Sequence, residues 1–309
     1  MASRRGPRRR ELLAGTAAAL LGAGVAGTGL AYRWAGPVDA GPRPAAVPSP
    51  VRPTPSPTPD HAALARTRIE RYLRGVGGRV TLAARDRASG LAVVAGTRRY
   101  QTASIVKVDI LAALLLRRQN QGRKLSAYER QLARAMIVVS DNDAASSLYA
   151  TIGRRTGLAA ANRTLGLRQT TPSASWGMTT TTAADQLRLL TALTDPAGPL
   201  GDAGRDFLLG LMGQVDKEQD WGITAAAGPA STASYVKNGW TTADADDGLW
   251  LANSIGRIVE PGRDWLVAVL SDHHPTRQQG IAAVEKAARY ALTELRAIPP
   301  GDPSAARFR

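Results

Sequence analysis

The sequence predicts an α/β domain of the α+β type. Three observations carry that expectation: a proline-rich stretch ends at Pro59, short apolar runs of strand length lie at both ends of the chain that follows, and a long block between them reads as helix and loop. In order, Asp60 is a candidate N-cap for a helix over Ala62–Leu73, whose apolar positions Leu64, Ile69 and Leu73 have helical spacing. Arg79–Ala84 and Leu91–Ala95 follow as two strands, divided by Asp86-Arg87-Ala88-Ser89-Gly90, a hairpin-like turn that ends in glycine. Nearly every long segment from Ser104 to about Ser234 reads as helix or loop. Tyr235–Trp240, Leu249–Ile258 and Trp265–Ser271 complete the strands, with Gly256 and Pro261-Gly262 as breakers, and Gln278–Leu295 closes the pattern as a helix. A sheet assembled from both ends of the chain must close around the helical insertion, so the two blocks are expected to meet along a cleft.

The N-terminus has a different composition. Five arginines stand within the first ten residues, and Leu12–Ala31 then runs twenty residues without a charge. A basic segment followed by an apolar one is the layout of an export signal, and Arg9-Arg10-Glu11-Leu12-Leu13 fits a twin-arginine pattern. Seven alanines and five glycines make the apolar stretch weak as a hydrocarbon anchor, so residues 1–36 read as a signal ahead of a membrane anchor, with Val38-Asp39-Ala40 as a small-residue cleavage point. Residues 37–59 contain nine prolines and almost no large apolar side chain, the composition of an extended spacer that tethers a domain to an envelope. The folded domain is expected over residues 60–297, with 298–309 as a tail.

The 309 residues include no cysteine, which excludes disulfides, thiolate metal sites and a lipid-modified N-terminal cysteine, and leaves stability to packing. Of the formal net charge of +15, the first 36 residues supply +5 and residues 61–309 supply +10. The arginines of the domain are scattered and no nucleic-acid recognition motif accompanies them. The charge therefore reads as a solvated basic surface attracted to an anionic envelope, with no nucleic-acid partner.

Three short segments carry the chemistry. Ser104-Ile105-Val106-Lys107 opens a strongly apolar helix, and side chains three apart on a helix share a face. A serine needs a base to act as a nucleophile, and a lysine desolvated in a closed pocket, or placed near a second cation, is neutral enough to serve. Ser140-Asp141-Asn142 stands in a second helical stretch, and Lys237-Asn238-Gly239 on an expected strand supplies a candidate second cation. Ser234-Tyr235-Val236-Lys237 repeats the first spacing, but positions three apart on a strand point to opposite faces, which discards it.

In this order the segments match the Ser-x-x-Lys, Ser-Asp-Asn and Lys-Thr-Gly set, so the chain resembles the class A β-lactamase and penicillin-binding-protein superfamily, and most of all the β-lactamase-like serine hydrolases of actinobacteria. Val236–Trp240 and Asn253-Ser254-Ile255-Gly256 are further points of likeness, and the resemblance covers about residues 61–297. It implies a five-stranded antiparallel sheet with flanking helices, an all-helical subdomain, and acyl-enzyme chemistry on β-lactams or cell-wall peptides without a metal or other cofactor, in a monomer. Carried over residue by residue, it implies Ser104 as nucleophile, Lys107 as general base and Ser140 as proton relay between the lysines and the leaving group. Asn142 is expected to hold Lys107 and bind a substrate amide, Lys237 to attract the substrate carboxylate, Asn238 to take part in that recognition, and Gly239 to let the substrate lie close to the backbone. The N–H groups of Ser104 and Trp240 are expected to form the oxyanion hole.

Three departures bear on function. The 36 residues between Ser104 and Ser140 are fewer than in class A β-lactamases, so a loop segment near the cleft is missing. Asn238 stands where those enzymes carry a hydroxyl residue, which weakens carboxylate recognition. No glutamate occurs between Glu129 and Glu218, and Thr170–Met178 holds no carboxylate to activate a deacylating water. Asp185, in the helical run Thr182–Leu193, reads as a structural partner. The expected behaviour is acylation with slow deacylation. A D-alanyl-D-alanine carboxypeptidase or other penicillin-binding protein, an amidase or esterase, and a catalytically idle wall-associated binding module remain as alternatives.

Other chemistry is thinly represented. With only His61, His273 and His274, and no Gly-x-Ser-x-Gly elbow, a Ser-His-Asp enzyme is disfavoured. His273-His274 without a spaced third ligand reads as a solvent-facing loop pair and not as a metal site. Trp176, Trp221, Trp240 and Trp250 are each assigned to core packing, with lining of the cleft as the alternative.

Overall fold

A computed structural model describes residues 60–243 and 247–302 together with Gly36 and Gly41. The expected export signal, the cleavage point, nearly all of the spacer and residues 303–309 lie outside the described residues. Helix α1 (His61–Leu73) opens the domain, and Asp60 caps it by accepting from Ala63 N–H at 2.9 Å. Strands β1 (Arg79–Asp86) and β2 (Ala92–Ala95) form the first hairpin. Its turn is held by Asp86, whose carboxylate accepts from Ser89 Oγ at 2.6 Å and from Ala88 N–H at 3.1 Å, while Gly90 takes φ +80°.

The chain then runs through β3 (Tyr100–Gln101), a 3-10 turn over Ala103–Ile105, and the helices α2 (Val106–Asn120), α3 (Ala127–Val138), α4 (Asn142–Thr151) and α5 (Arg154–Thr164). A loop leads to β4 (Thr180–Thr181), then α6 (Ala183–Thr194) and α7 (Asp202–Met212). Strands β5 (Ala233–Ala243), β6 (Leu249–Glu260) and β7 (Arg263–His274) precede α8 (Arg277–Arg296). The five long strands make one antiparallel sheet in the order β2-β1-β7-β6-β5, so the chain's two ends do close around the helical insertion.

Alternation along the strands sorts side chains into two cores. Leu82, Ala84, Ala252, Ile258, Trp265, Val267 and Val269 pack under α1 and α8. Their neighbours Ala83, Ile255, Leu266, Ala268 and Leu270 point the other way, into the core built by the inserted helices. The result is three layers: the terminal helices, the sheet and the helical block. Helix α2 lies deepest, since every residue from Val106 to Leu116 is buried.

Several boundaries differ from the sequence reading. Strands β5 and β7 run several residues beyond Tyr235–Trp240 and Trp265–Ser271, because ladder pairing with β6 and β1 continues through polar positions that carry no apolar signal. The segment expected as a tail from residue 298 begins as part of the domain: Ile298 is buried against the α1–α8 core, its carbonyl accepts from Arg263 Nη2 at 2.5 Å, and Asp302 Oδ2 lies 2.6 Å from His61 Nδ1. The β3–β4 pair has no counterpart in the sequence reading, since two residues are too few to display a period.

Candidate active site

Ser104 lies in the 3-10 turn that leads into α2, and Lys107 is the second residue of that helix. The turn is shaped by Ala103, which takes φ +45°, a left-handed conformation that alanine rarely adopts. Thr102 and Gln101 are held from the sheet, where Asn253 Nδ2 donates to their carbonyls at 3.2 and 2.8 Å. Asn253 Oδ1 in turn accepts from Ser271 N–H at 3.1 Å, so one asparagine couples β6, β7 and the Ser104 turn. The Ser104 side chain caps neither helical segment, and its hydroxyl makes no hydrogen bond among the described residues.

Ser140 also takes a left-handed conformation, φ +60°, at the break between α3 and α4, and Asp141 caps α4 by accepting from Ala144 N–H at 2.7 Å. Backbone strain therefore sits beside both serines of interest, as is common where side chains must be held in one functional geometry. Lys107 Nζ donates to Ser140 O at 2.6 Å, Ser140 Oγ at 3.1 Å and Asn142 Oδ1 at 2.7 Å. From the sheet, Lys237 Nζ donates to the same Ser140 Oγ at 3.1 Å and to Asn238 O at 3.1 Å. Thus three segments distant in sequence, holding Ser104 and Lys107, Ser140 and Asn142, and Lys237, are gathered where the helical block meets the sheet.

Both lysines are buried, Lys107 with no exposed surface and Lys237 at 1%. Desolvation pushes Lys107 down to about 8, with Asp141 pulling the other way. Desolvation and then the charge of Lys107 push Lys237 down to about 7. Two ammonium groups sharing one hydroxyl acceptor titrate as a pair. Near neutral pH the pair gives up a proton readily, which is what a base for serine requires.

Strand parity sets the roles of β5. Lys237 and Gly239 face the helical block; a Cβ on Gly239 would lie 2.7 Å from Ser104 N and 2.8 Å from Thr102 O. The room expected for a substrate is taken by the chain's own turn, so this glycine serves the approach of the Ser104 backbone to the strand. Asn238 points to the opposite face, where its Nδ2 donates to Gln219 O at 2.7 Å and Trp221 O at 3.0 Å, and its side chain is too buried, at 1% exposed, to meet a substrate. Lys237 lies beneath Ser140, so its charge acts through that hydroxyl and not from an open strand edge.

Other residues fall elsewhere. Asp185 is fully buried and accepts from Arg168 N–H, Gln169 N–H, Thr170 Oγ1 and Arg188 Nη1, which commits its carboxylate to pinning the loop before β4. The pair His273-His274 ends β7 and is not a solvent-facing loop: His274 is 2% exposed and His273 Nδ1 lies 3.0 Å from Asp272 Oδ1. Among the described residues, no cluster of three or more His, Cys, Asp or Glu is placed to hold a metal ion. Trp221 packs in the core edge-on to Trp240, 5.9 Å between centroids. Trp176 packs half-buried against the helical core and also faces the site, its ring centroid 4.9 Å from Lys107 Nζ.

Sequence reasoning overlooked Asn253 as the tie to the Ser104 turn and Trp176 as a neighbour of Lys107. Both contacts join segments far apart in the chain, and neither residue type carries a local signal for them.

The family model described as "Beta-lactamase enzyme family" matches residues 116–295, a span that contains Ser140 and Lys237 and begins after Ser104 and Lys107. The fold is similar to that of PBP-A, at 18% identity over 76% of this chain and 97% of that one, TM-score 0.65, and one of its structures is a mutant in acyl-enzyme complex with penicillin G. It is similar to the TLA-1 extended-spectrum β-lactamase, at 16% identity over 76% of this chain and 99% of that one, TM-score 0.67. A class A β-lactamase from Mycobacterium abscessus is 22% identical over 75% of this chain and 99% of its own, TM-score 0.62. No curated protein matches the chain.

Proposed function

The chain belongs to the β-lactamase enzyme family, and from that premise we propose that it is a serine hydrolase that forms an acyl-enzyme on Ser104 with β-lactams or cell-wall-peptide-like amides. The observation that carries the reading is Ser140 Oγ, which accepts from both Lys107 and Lys237 at 3.1 Å. Lys107 in its neutral form takes the Ser104 proton as Oγ attacks the carbonyl carbon. The oxyanion is received by the N–H groups of Ser104 and Trp240, a role supported by the close passage of Gly239, the residue before Trp240, against Ser104 N. The C–N bond then breaks, and the proton passes from Lys107 through Ser140 to the leaving nitrogen. Asn142 keeps Lys107 in place and binds the acyl amide, and Lys237 holds Ser140 and supplies positive charge for a substrate carboxylate.

Hydrolysis of the ester is expected to be slow. The loop Thr170–Met178 has no carboxylate, and the Asp185 carboxylate is already spent on four donors. The same absence favours a penicillin-binding protein of D-alanyl-D-alanine carboxypeptidase type as the second reading. The proposal extends to the whole chain: residues 1–36 direct export by the twin-arginine route or anchor the chain, residues 37–59 are the spacer of an envelope tether, and the protein works as a monomer without a cofactor.

Intact-mass measurement of the full chain with a fluorescent penicillin tests this. A single adduct on the wild type and none on Ser104→Ala is the expected result. Persistence for many minutes supports slow deacylation; rapid decay with turnover would mean a working β-lactamase. No adduct, together with no turnover of any ester or amide, would leave a binding module that has kept the fold.

A further inference from the structure

We infer that Trp176 is the wall of the site on the Lys107 side, a positioning residue that keeps water from the lysine and from the ester formed on Ser104. The inference rests on the reading of Ser104 as the nucleophile.

Trp176 opens the short 3-10 turn Trp176–Met178, inside the carboxylate-free loop. Its indole Nε1 donates to Ser146 Oγ at 3.1 Å, and Ser146 Oγ donates to Asn142 O at 2.9 Å, which fastens the ring to the start of α4. The following residues are fastened on the other side: Thr102 N–H donates to Thr179 O at 2.8 Å and Thr102 Oγ1 to Gly177 O at 3.4 Å, two positions before Ser104. The ring is thus strung between the segments that hold Asn142 and Ser104, with its face 4.9 Å from Lys107 Nζ. The three N–H groups of the ammonium are taken by Ser140 O, Ser140 Oγ and Asn142 Oδ1, the ring face packs against the outside of that set, and the lysine has no exposed surface.

An indole face attracts a cation but accepts no proton. Hydrolysis of the acyl-enzyme needs a water whose oxygen adds to the ester carbon while a base takes its proton; the C–Oγ bond then breaks and Oγ regains a proton. The indole at that position supplies no base and takes up space beside Lys107 that a water would otherwise fill. The same ring removes solvent from Lys107, and desolvation is the chief cause that lowers the lysine to about 8. The charged groups facing Lys107 are Asp141 and Lys237, and neither changes in a Trp176 variant.

The test compares the full chain with Trp176→Ala and Trp176→Phe, each checked for a native thermal transition. With fluorescent penicillin, Trp176→Ala is expected to shorten the adduct lifetime at least about tenfold and to move the pH midpoint of acylation upward by about one unit or more, while Trp176→Phe stays close to the wild type. A lifetime and midpoint in Trp176→Ala equal to the wild type would overturn the inference and leave the Ser104 reading standing. Should the wild type form no adduct and turn over no ester or amide, the Ser104 reading falls, and with no adduct in either case the wall is judged by NMR titration of ¹³Cε-labelled lysine, assigned with Lys107→Arg. An upward shift of Lys107 in Trp176→Ala upholds the wall, and an unmoved titration overturns it.

Discussion

Lys107 and Gly239 carry the sharpest consequences for single residues. If neutral Lys107 is the base, acylation rises with pH as the lysine pair loses a proton near 7 to 8 and levels above that. The sign follows from the charge: both lysines are pushed down by burial, so the reactive neutral form gains population as pH increases through that window. Stopped-flow acylation between pH 6 and 9.5 checks this, and a flat profile would remove Lys107 from the role of base. Gly239→Ala is expected to displace the Ser104 turn, because a Cβ 2.7 Å from Ser104 N meets backbone and not the far end of a flexible side chain, so the turn itself must shift. Acylation should fall by about 100-fold, the order of a misplacement near 1 Å, with only a small drop in melting temperature. Wild-type acylation in that variant would show that the turn has slack which the packing does not suggest.

Between elements, the informative contact is that of α2 with α6. Asp109 on α2 is buried, both carboxylate oxygens lack a hydrogen-bond partner, and Gln186 on α6 has an unpartnered Oε1. Burial, and then the nearby Asp185 charge, push Asp109 up to about 8. A folded-state value above the unfolded one means that the folded chain holds the proton more tightly, so stability is full in acid and declines as pH rises towards 8. Asp109→Asn should therefore stabilise the protein at pH 8, by an amount on the order of 2 kcal/mol or more, and do little at pH 4. Urea unfolding at the two pH values measures the difference; equal effects at both would argue against a protonated Asp109. The apolar run of α2 is plain in the sequence, whereas the residues that act on Asp109, Asp185 and Gln186, belong to a helix some 75 residues later.

At the scale of the molecule, the domain is closed by its two ends. Ile298 fills the α1–α8 core and Asp302 reaches His61, so the last described residues pin the first helix. Ending the chain at Ala297 should cost about 2 kcal/mol, most of it the apolar surface of Ile298. Removing only the residues after Asp302 should leave the melting temperature unchanged. Thermal unfolding of the two truncations separates these outcomes, and equal stability would return residues 298–302 to the status of a tail.

Much of this protein is legible in one dimension. The terminal helices, the five long strands at the two ends, the helical block between them and the three site segments follow from local spacing, because periodicity and short-range geometry act within a few residues. What only the tertiary structure decided involves contacts between distant segments. Ser140 Oγ lies between two lysines 130 residues apart. Strand parity, once the register is known, turns Asn238 away from the site and Gly239 against the Ser104 turn. Asn253 and Trp176 gain their places from backbone carbonyls and a buried cation that no local pattern announces, since burial and desolvation are properties of the assembled layers and not of any segment alone.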